Sequence, residues 1–378
     1  MKKRKEQLNI VMLGHKRIPS REGGVEIVVE ELATRMAAAG HKVTCLNRRG
    51  HHVSGAQYDT DLLDEYKGVA LKRVWTLDKK GLAAVTSSFF AAVWASFSRA
   101  DVVHIHAEGP AFMCWIPKLF GKRVVVTVHG LNWQCQKWKN SFGAKYILAG
   151  EKMAVRFADS IIVLNRDTQQ YFMDTYGRKT VWIPNGVRRP QILEPVQIRE
   201  KFGLEKQSYI LFLGRIVPEK GVHYLIEAYR GVSTDKKLVI AGGNSDSLDY
   251  MQSLKEMAGD DPNIVFTDFV QGPLLDELYS NAYLFVLPSD TEGMPLSLME
   301  AMSYGNCCVV SDIPGCTEVV EDKAVVFQKG NVENLTKCLQ MLCAEIQTVV
   351  NIKNAAREFI CEKYNWDDVV EKTLELYQ

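Results

Sequence analysis

Residues 284–302 read LFVLPSDTEGMPLSLMEAM and join a short apolar segment to a helix-length one. The run 284–287 is apolar and is followed by Pro288, which is typical of a buried strand in a parallel sheet. Pro295 suits the first helical position, where its missing N–H costs little. The stretch therefore predicts a strand, a loop and a helix whose free amides point back over the loop, the unit that builds doubly wound α/β sheets.

The same alternation runs through the whole chain. Short β-branched runs alternate with amphipathic segments of helix length, which indicates parallel sheets covered by helices on both faces. Strands are predicted at residues 9–13, 42–46, 69–74, 102–106, 124–129, 160–164, 181–183, 209–213, 238–241, 264–267, 284–287, 308–310 and 325–327. Helices are predicted to begin near Val25, Leu82, Pro110, Ala144, Arg166, Gly221, Leu248, Pro273, Pro295, Gly315, Asn331 and Trp366.

The junction between two domains is predicted near residue 187. The run Ile183-Pro-Asn-Gly-Val187 breaks both periodicities, and such breaks mark domain boundaries. We predict two Rossmann-like, doubly wound domains that face each other across a cleft, at residues 1–187 and 188–365. No predicted strand follows the last helix, 366–378, and we expect this helix to pack back on the first domain.

Composition and charge narrow the function classes. The 378 residues are 47% hydrophobic, enough for sizeable cores, and 46 Lys and Arg balance 45 Asp and Glu. A net charge of +1 does not attract a polyanion, so no nucleic-acid partner is expected. Nine cysteines without a C-x-x-C pair favour free thiols in a reducing cytoplasm. The basic N-terminus precedes an apolar run too short for a signal peptide, which is better read as the first strand.

The segment Gly81–Ser98 is the longest uncharged stretch. Its five Ser or Thr and five Ala residues make it a poor membrane span. We predict a helix that is buried or lies against an apolar partner, with a peripheral membrane contact as the alternative.

Two loops of the second half carry candidate chemistry. Arg215 and Lys220 share the short loop before the predicted helix at Gly221, with Glu219 as the only neighbouring acid, so a diphosphate is the expected guest. Glu292 projects from the loop before the helix at Pro295, and Glu300 lies within that helix. Two such acids can accept hydrogen bonds from neutral hydroxyls. Glu300 is embedded among Leu, Met and Ala residues, and a carboxylate in such surroundings needs a partner.

The first half offers weaker signals. The pair Gly23-Gly24 precedes a helix and lets amides approach an anion, or forms only a tight turn. His104 and His106 alternate on one strand face; two metal ligands are one interpretation, and one packed and one cleft-lining histidine is the favoured one. Asp59-Thr-Asp61 has the spacing of metal-binding acids but lies in a polar loop. Trp133 is interpreted as a platform for a sugar or lipid.

Taken together, these motifs resemble the retaining, metal-independent GT-B glycosyltransferases of family 4, especially bacterial enzymes of capsular and exopolysaccharide synthesis. The resemblance spans nearly the whole chain and rests on the Arg215 and Lys220 loop, Glu292 and Glu300, Gly23-Gly24, His129-Gly130 and Asn185-Gly186.

The resemblance implies a role for each matching residue. Arg215 and Lys220 would bind the donor diphosphate, and Glu300 the ribose hydroxyls. Glu292 would hold the donor sugar, and His129 would sit where positive charge develops on it. The remaining donor-side candidates are Gly23, Gly24, Gly293, Met294, Pro295 and Leu296, and the acceptor-side candidates are His106 and Trp133.

The expected reaction is transfer of a sugar, with retention, from a nucleotide sugar, most simply a UDP-sugar, to a saccharide acceptor carried on a lipid. No cofactor or metal is expected, because two cations and a helix N-terminus already face the diphosphate. No nucleophilic carboxylate is evident beside His129. We expect a cytoplasmic protein, with contact to the inner face of the membrane as an option. The alternatives are a nucleotide-sugar 2-epimerase of the same fold and a two-lobed sugar-binding protein.

Overall fold

The computed structural model describes residues 7–50, 63–77, 79, 81–131, 133, 142–243 and 248–378. The chain divides into two compact units, each with its own sheet. The first unit contains Met1–Gly186 and Trp366–Gln378, and the second contains Val187–Asn365. The boundary falls at residue 187 because the Val187 backbone pairs with Tyr364 and Asn365 of the second unit.

The first unit is built on an eight-stranded sheet in the order β3-β4-β2-β1-β5-β6-β7-β8. All neighbouring strands are parallel except the short β3, which pairs antiparallel with β4. The strands are β1 Asn9–Leu13, β2 Lys42–Arg48, β3 Glu65–Tyr66, β4 Val69–Val74, β5 Val102–His106, β6 Arg123–Val128, β7 Ser160–Val163 and β8 Val181–Trp182.

Helices follow most of these strands, as expected for crossover connections. They are α1 Gly24–Ala38, α2 Leu82–Phe97, α3 Glu108–Ala111, α4 Trp115–Leu119, α5 Phe142–Phe157 and α6 Arg166–Tyr176. The single helix predicted near Pro110 is wrong: two short helices, α3 and α4, occupy this region.

The second unit is built on a six-stranded, all-parallel sheet in the order β11-β10-β9-β12-β13-β14. Its strands are β9 Tyr209–Leu213, β10 Lys237–Ala241, β11 Ile264–Asp268, β12 Leu284–Leu287, β13 Cys307–Ser311 and β14 Val325–Phe327. Its helices are α7 Gln197–Phe202, α8 Val222–Arg230, α9 Leu248–Ala258, α10 Pro273–Asn281, α11 Leu296–Ser303, α12 Pro314–Val320, α13 Val332–Ala344 and α14 Ile346–Lys363.

Two local predictions for the second unit need correction. Helix α11 begins at Leu296, and Pro295 is its N-cap, with ψ of 112°, rather than its first helical residue. The 18-residue helix α14 was not predicted at all. It buries only Val349, Ala356 and Ile360 of its length, so its apolar periodicity is too sparse to detect in the sequence.

The last helix, α15 Trp366–Glu375, is part of the first unit. It lies against α1, and Arg35 of α1 forms an ion pair with Asp367. Gly186 allows the chain to pass directly under this helix, because a Cβ at Gly186 would lie 2.6 Å from the Trp366 ring. A side chain is therefore excluded at this position.

The central strands of both sheets are buried on both faces. The strand β12 is fully buried along its length, and so are β5 and β13. This explains the near-continuous apolar runs in the sequence and places the polar candidates at the strand ends. Within the described part of the chain, no helix is both long and apolar enough to span a bilayer.

Candidate active-site residues

Lys220 and Glu292 form the most buried ion pair found in the described residues of the second unit. Lys220 Nζ lies 2.5 Å from Glu292 Oε1, and the two side chains are 14% and 9% exposed. The Ser289 hydroxyl donates to the same oxygen at 2.7 Å. Glu219 is the acid within the loop of Lys220, and the fold adds Glu292 from a loop 72 residues away.

The sheet itself brings these two loops together. Strands β9 and β12 are neighbours, so the loops after them leave from the same sheet edge. Gly221 has φ of +67°, and a Cβ there would lie 2.0 Å from the Pro288 carbonyl oxygen. The Asp290 amide donates to the Glu219 carbonyl at 2.9 Å. Only glycine at position 221 permits this close contact between the loops.

Arg215 lies in the first of these loops and is exposed. It follows Gly214, whose amide donates to the Ala241 carbonyl of β10 at 3.1 Å. The arginine is thus fixed by its backbone at the end of β9, while its guanidinium is accessible to a ligand. An exposed guanidinium and a largely buried ammonium in the same loop are groups that can bind a doubly charged anion.

Glu300 has the partner that its apolar surroundings require. The Tyr279 hydroxyl donates to Glu300 Oε2 at 3.3 Å and is also 3.3 Å from the Ser297 carbonyl. Tyr279 stacks on Tyr304 at 5.2 Å between ring centroids, and its own side chain is buried. Sequence reasoning missed Tyr279 because it lies on α10, more than 20 residues before Glu300.

The residues between Glu292 and Glu300 contribute mainly backbone groups to the candidate site. The side chains of Met294 and Leu296 are 7% and 8% exposed, so they belong to the core, while Gly293 has none to offer. The first amides of α11 leave this turn, and amides at a helix start favour a negatively charged or hydroxyl ligand.

In the first unit, three histidines follow one another across two adjacent strands. His106 Nδ1 of β5 lies 3.1 Å from Nε2 of His129, which follows β6, so one of these nitrogens donates and the other accepts. His104 contacts the Thr127 hydroxyl at 2.7 Å and the Tyr377 hydroxyl at 2.6 Å. Both strand histidines are fully buried. The expectation that one of them lines a cleft is wrong, and His106 touches His129 instead.

Burial keeps these imidazoles neutral. It lowers the pKa of His104 to about 3 and that of His129 to about 4, and it lowers the pKa of His106 further below its ordinary range. The neighbouring Glu26 opposes this effect at His129 by raising its pKa. A neutral His129 can donate or accept one hydrogen bond near a ligand without adding a positive charge.

Glu26 is a site residue that the sequence analysis missed. Its Oε1 accepts the Lys16 amide at 2.9 Å, and it is 5% exposed. Its other oxygen, Oε2, lies 2.5 Å from where a Cβ on Gly23 would stand. The Gly23-Gly24 turn therefore already accommodates a carboxylate of its own helix. The acid three residues after an N-cap is the sequence signal that would have found it.

Trp133 is anchored by a buried carboxylate. Its indole Nε1 donates to Glu151 Oε2 at 3.2 Å, while the Tyr171 and Tyr176 hydroxyls donate to Glu151 Oε1 at 2.8 and 2.5 Å. Glu151 is completely buried. The two tyrosine hydroxyls fix the carboxylate, and the carboxylate orients the indole through its one hydrogen bond, as a stacking platform requires.

The proposed metal-binding acids Asp59 and Asp61 lie outside the described residues. Among the residues that are described, no group of three or more His, Cys, Asp or Glu side chains is placed to hold a metal ion. The pair His104 and His106 is instead committed to hydrogen bonds and to ring contact at 4.2 Å.

Comparisons with known proteins decide the family. Residues 196–359 match the model described as glycosyl transferases group 1, and residues 22–189 match the model described as glycosyltransferase family 4. The chain is a group 1 glycosyltransferase. This assignment excludes the two-lobed binding protein considered from the sequence.

Related sequences carry the same family name or act on sugars. An uncharacterized glycosyltransferase of Methanocaldococcus jannaschii is 31% identical over 190 residues, 49% of this chain and 48% of that protein. The α-maltose-1-phosphate synthase of Mycolicibacterium smegmatis is 26% identical over 74% of this chain and 79% of its own. A Campylobacter jejuni N-acetylgalactosaminyltransferase, named for a diphospho-undecaprenol acceptor, is 25% identical over 60% of this chain and 62% of its own.

Solved structures show the fold of this glycosyltransferase. Sucrose-phosphate synthase of Thermosynechococcus elongatus superposes with a TM-score of 0.80 at 18% identity, over 99% of this chain and 98% of that one. The Anabaena protein HepE, solved with UDP and glucose, gives 0.80 at 17% identity over 97% and 98% of the two chains. The group 1 glycosyltransferase thus has the GT-B fold, as the sequence motifs predicted.

Proposed function

We propose that this glycosyltransferase transfers a sugar from a UDP-sugar to a saccharide acceptor attached to a lipid diphosphate, in polysaccharide synthesis. The observation that carries the proposal is the Lys220–Glu292 pair, which joins the loops after two neighbouring strands, with the exposed Arg215 in the same loop as Lys220. A cation that neutralises a diphosphate and a carboxylate that accepts sugar hydroxyls are both needed to hold a nucleotide sugar, and here they touch.

The donor assignment draws on structural likeness. The Anabaena neighbour was solved with UDP and glucose, and a further crystal of the same protein contained UDP-glucose. In this chain, Glu300 is positioned by Tyr279 to accept hydrogen bonds from neutral hydroxyls, which suits the ribose of a nucleotide.

The acceptor assignment draws on a relative. The Campylobacter jejuni enzyme is named for an acceptor that is a diphospho-undecaprenol sugar. The indole of Trp133, fixed by Glu151, offers a flat apolar surface of the kind that stacks on a sugar ring. The eight cysteines that the structure describes are all free thiols, which supports a reducing, cytoplasmic location.

The proposed reaction proceeds with retention and without a metal. The bond between the anomeric carbon and the diphosphate oxygen breaks, and the new bond forms from the acceptor hydroxyl on the same face. The departing diphosphate takes the acceptor's proton. Arg215 and Lys220 stabilise the negative charge that accumulates on the leaving group, which is the role a metal ion plays in other enzymes.

Glu26 enters this mechanism as an acid close to His129. The sequence analysis expected no carboxylate there, yet Glu26 is close enough to raise the pKa of His129. Its Oε1 is occupied by the Lys16 amide, which stabilises the carboxylate and weakens it as a nucleophile. We therefore assign Glu26 the electrostatic support of positive charge at the sugar and not covalent attack.

A thermal-shift screen of UDP, ADP, GDP and their glucose conjugates tests the function. A ligand present at 100 times its Kd stabilises the folded state by about 2.7 kcal/mol, so UDP and UDP-sugars should raise the melting temperature of the full chain. Arg215→Ala should remove most of that rise, whereas Arg199→Ala should not. Arg199 is an exposed arginine paired with Glu205 and serves as the matched control. If no nucleotide raises the melting temperature of the wild type, the proposal fails.

A further inference from the structure

Helix α2 buries small side chains and exposes large apolar ones, the opposite of the usual arrangement. The side chains that it buries are small or hydroxylated, namely Ser87, Ser88, Ala91, Ala92, Ala95 and Ser96. Its large apolar side chains are the exposed ones, at 40 to 74%. Burying aromatic side chains is worth far more than burying serine, so in water alone this arrangement wastes the larger hydrophobic gain.

The exposed residues form one continuous surface, which we call the α2 apolar face. On a helix of 3.6 residues per turn, Leu82, Phe89, Phe90 and Phe97 lie on one side, and Trp94 lies at its edge. The face continues beyond α2 through Trp75, whose ring centroid is 5.1 Å from that of Phe90, and through Phe120, which is 4.8 Å from Phe97. Leu119, the last residue of α4, directly precedes Phe120 and is 71% exposed.

Exposed cations lie at both ends of the α2 apolar face. Residues 81–98 carry no charge, Lys79 precedes them and Arg99 follows, and both of these side chains are exposed. Lys122 approaches the same end of the helix, where its Nζ contacts the Ser98 and Ala100 carbonyls. Cations at both ends of an exposed aromatic helix match the headgroup region of an anionic bilayer, into which Trp and Phe insert.

A second copy of the chain fits this face less well. In a symmetric contact between two such faces, each end of one helix lies against the helix of the other copy. Lys79 and Arg99 of one copy then face the same two cations of the other copy. Repulsion between cations opposes that contact, while anionic lipid attracts every one of them.

We propose that the α2 apolar face docks the first unit on a membrane surface that contains anionic lipid, with α2 parallel to the surface. The inference rests on this surface and is independent of the proposed reaction. Docking would hold the enzyme beside an acceptor embedded in the same membrane. The face lies on the helix that covers β1, β2 and β4.

Vesicle co-sedimentation of the full chain tests the proposal. The wild type should bind vesicles of phosphatidylcholine with 30% phosphatidylglycerol and bind pure phosphatidylcholine more weakly. Phe97→Glu with Leu119→Glu should lower the partition coefficient by at least about tenfold, because two charges enter the interface. Arg99→Ala should lower it by about fivefold on the anionic vesicles, the effect of one cation near such a surface.

Ile346→Glu is the matched control. Ile346 is an apolar side chain 65% exposed on the second unit, and its replacement should leave vesicle binding unchanged. All variants alter exposed positions, and circular dichroism together with UDP binding checks that each remains folded. Failure of the wild type to bind anionic vesicles, or equal binding by the Phe97 and Leu119 variant, overturns the proposal. A wild-type dimer that Phe97→Glu dissociates, without vesicle binding, assigns the face to a second copy instead. UDP binding distinguishes either failure from a failure of the proposed function.

Discussion

Lys220 Nζ and Glu292 Oε1 are 2.5 Å apart, although 71 residues separate them in the chain and each follows a different strand. The pair is largely shielded from water, so each charge depends on the other for its orientation. A donor diphosphate that binds Lys220 therefore also affects the carboxylate that is proposed to hold the sugar.

The first prediction concerns this coupling. Lys220→Ala and Glu292→Ala should each slow turnover by about ten- to a hundredfold, since each removes a charge-assisted contact worth roughly 1.5 to 3 kcal/mol. The double variant should lose little more than either single one, because the two side chains act as a unit. Steady-state kinetics with a UDP-sugar measures this.

The control for the comparison of the single and double variants is the exposed pair Lys337 and Glu333 on α13. Lys337→Ala should leave turnover unchanged, since exposed pairs contribute little. Strictly multiplicative losses from Lys220→Ala and Glu292→Ala would show that the two residues act independently and would contradict the coupling.

The second prediction concerns Glu300. Glu300→Gln preserves the shape of the side chain but halves its capacity to accept hydrogen bonds, so it should weaken UDP binding. With 2′-deoxy-UDP as the ligand, the difference in affinity between the variant and the wild type should largely disappear. Tyr279→Phe, which removes the hydroxyl beside Glu300, should show a smaller loss of the same kind. Calorimetric titration measures these affinities. Additive losses from Glu300→Gln and the deoxy change would argue that the ribose is bound elsewhere.

The third prediction concerns pH. Burial lowers the pKa of His15 and His129 to about 4 and that of His104 to about 3, below the ordinary value near 6.5 in an unfolded chain. Between those values the unfolded chain binds more protons, so the stability of the first unit is full above pH 6.5 and falls as the pH drops toward 4. Each such histidine contributes up to about 1.4 kcal/mol per pH unit in that window.

Urea denaturation at pH 7, 6 and 5 tests this linkage. Because carboxylates also titrate as the pH falls, the informative quantity is the difference between wild type and His129→Gln. The variant should lose less stability between pH 7 and 5 than the wild type does. Identical pH dependence in the two proteins would mean that His129 is protonated in the folded state as readily as in the unfolded one.

The fourth prediction concerns the chain segment before the second unit. Gly186→Ala should destabilise the protein by about 1 to 3 kcal/mol, because its Cβ would overlap the Trp366 ring and force it to move. Gly109→Ala is the matched control, since a Cβ there meets Tyr146 at an ordinary 3.7 Å. Thermal unfolding of both variants gives the comparison, and an equal change in the two would contradict the packing argument.

Much of the fold was predictable because buried parallel strands leave continuous apolar runs. Strands β1, β4, β9 and β12 begin and end where the sequence predicts. Elements that bury little, such as α14 and the two-residue β3, leave no such pattern and were missed. The helix at Pro273 begins where it was predicted, whereas the helix predicted from Pro295 begins one residue later, because a proline fits both the N-cap and the first turn.

Only those features of the candidate site that lie within a residue's own loop were predictable from the sequence. Arg215, Lys220, Glu292 and Glu300 are visible in local patterns of charge and glycine. Glu26, in the first unit, was overlooked although its position three residues after the N-cap is a local signal. Tyr279, the partner of Glu300, was not identified, because it lies on α10, and contact between elements depends on strand order, which no local pattern encodes. His106 shows the same limit: its alternation with His104 was evident, but its contact with His129 follows only from the pairing of β5 with β6.

The most direct test of the proposed reaction is proton NMR of the first product, formed from an α-linked UDP-sugar and a lipid-linked saccharide in excess chelator. An α-linked product at an undiminished rate is expected, because Arg215 and Lys220 stabilise the leaving diphosphate and the acceptor attacks from the same face. A β-linked product would contradict the same-face mechanism. Loss of activity in chelator, restored by magnesium or manganese, would contradict the role assigned to the two cations.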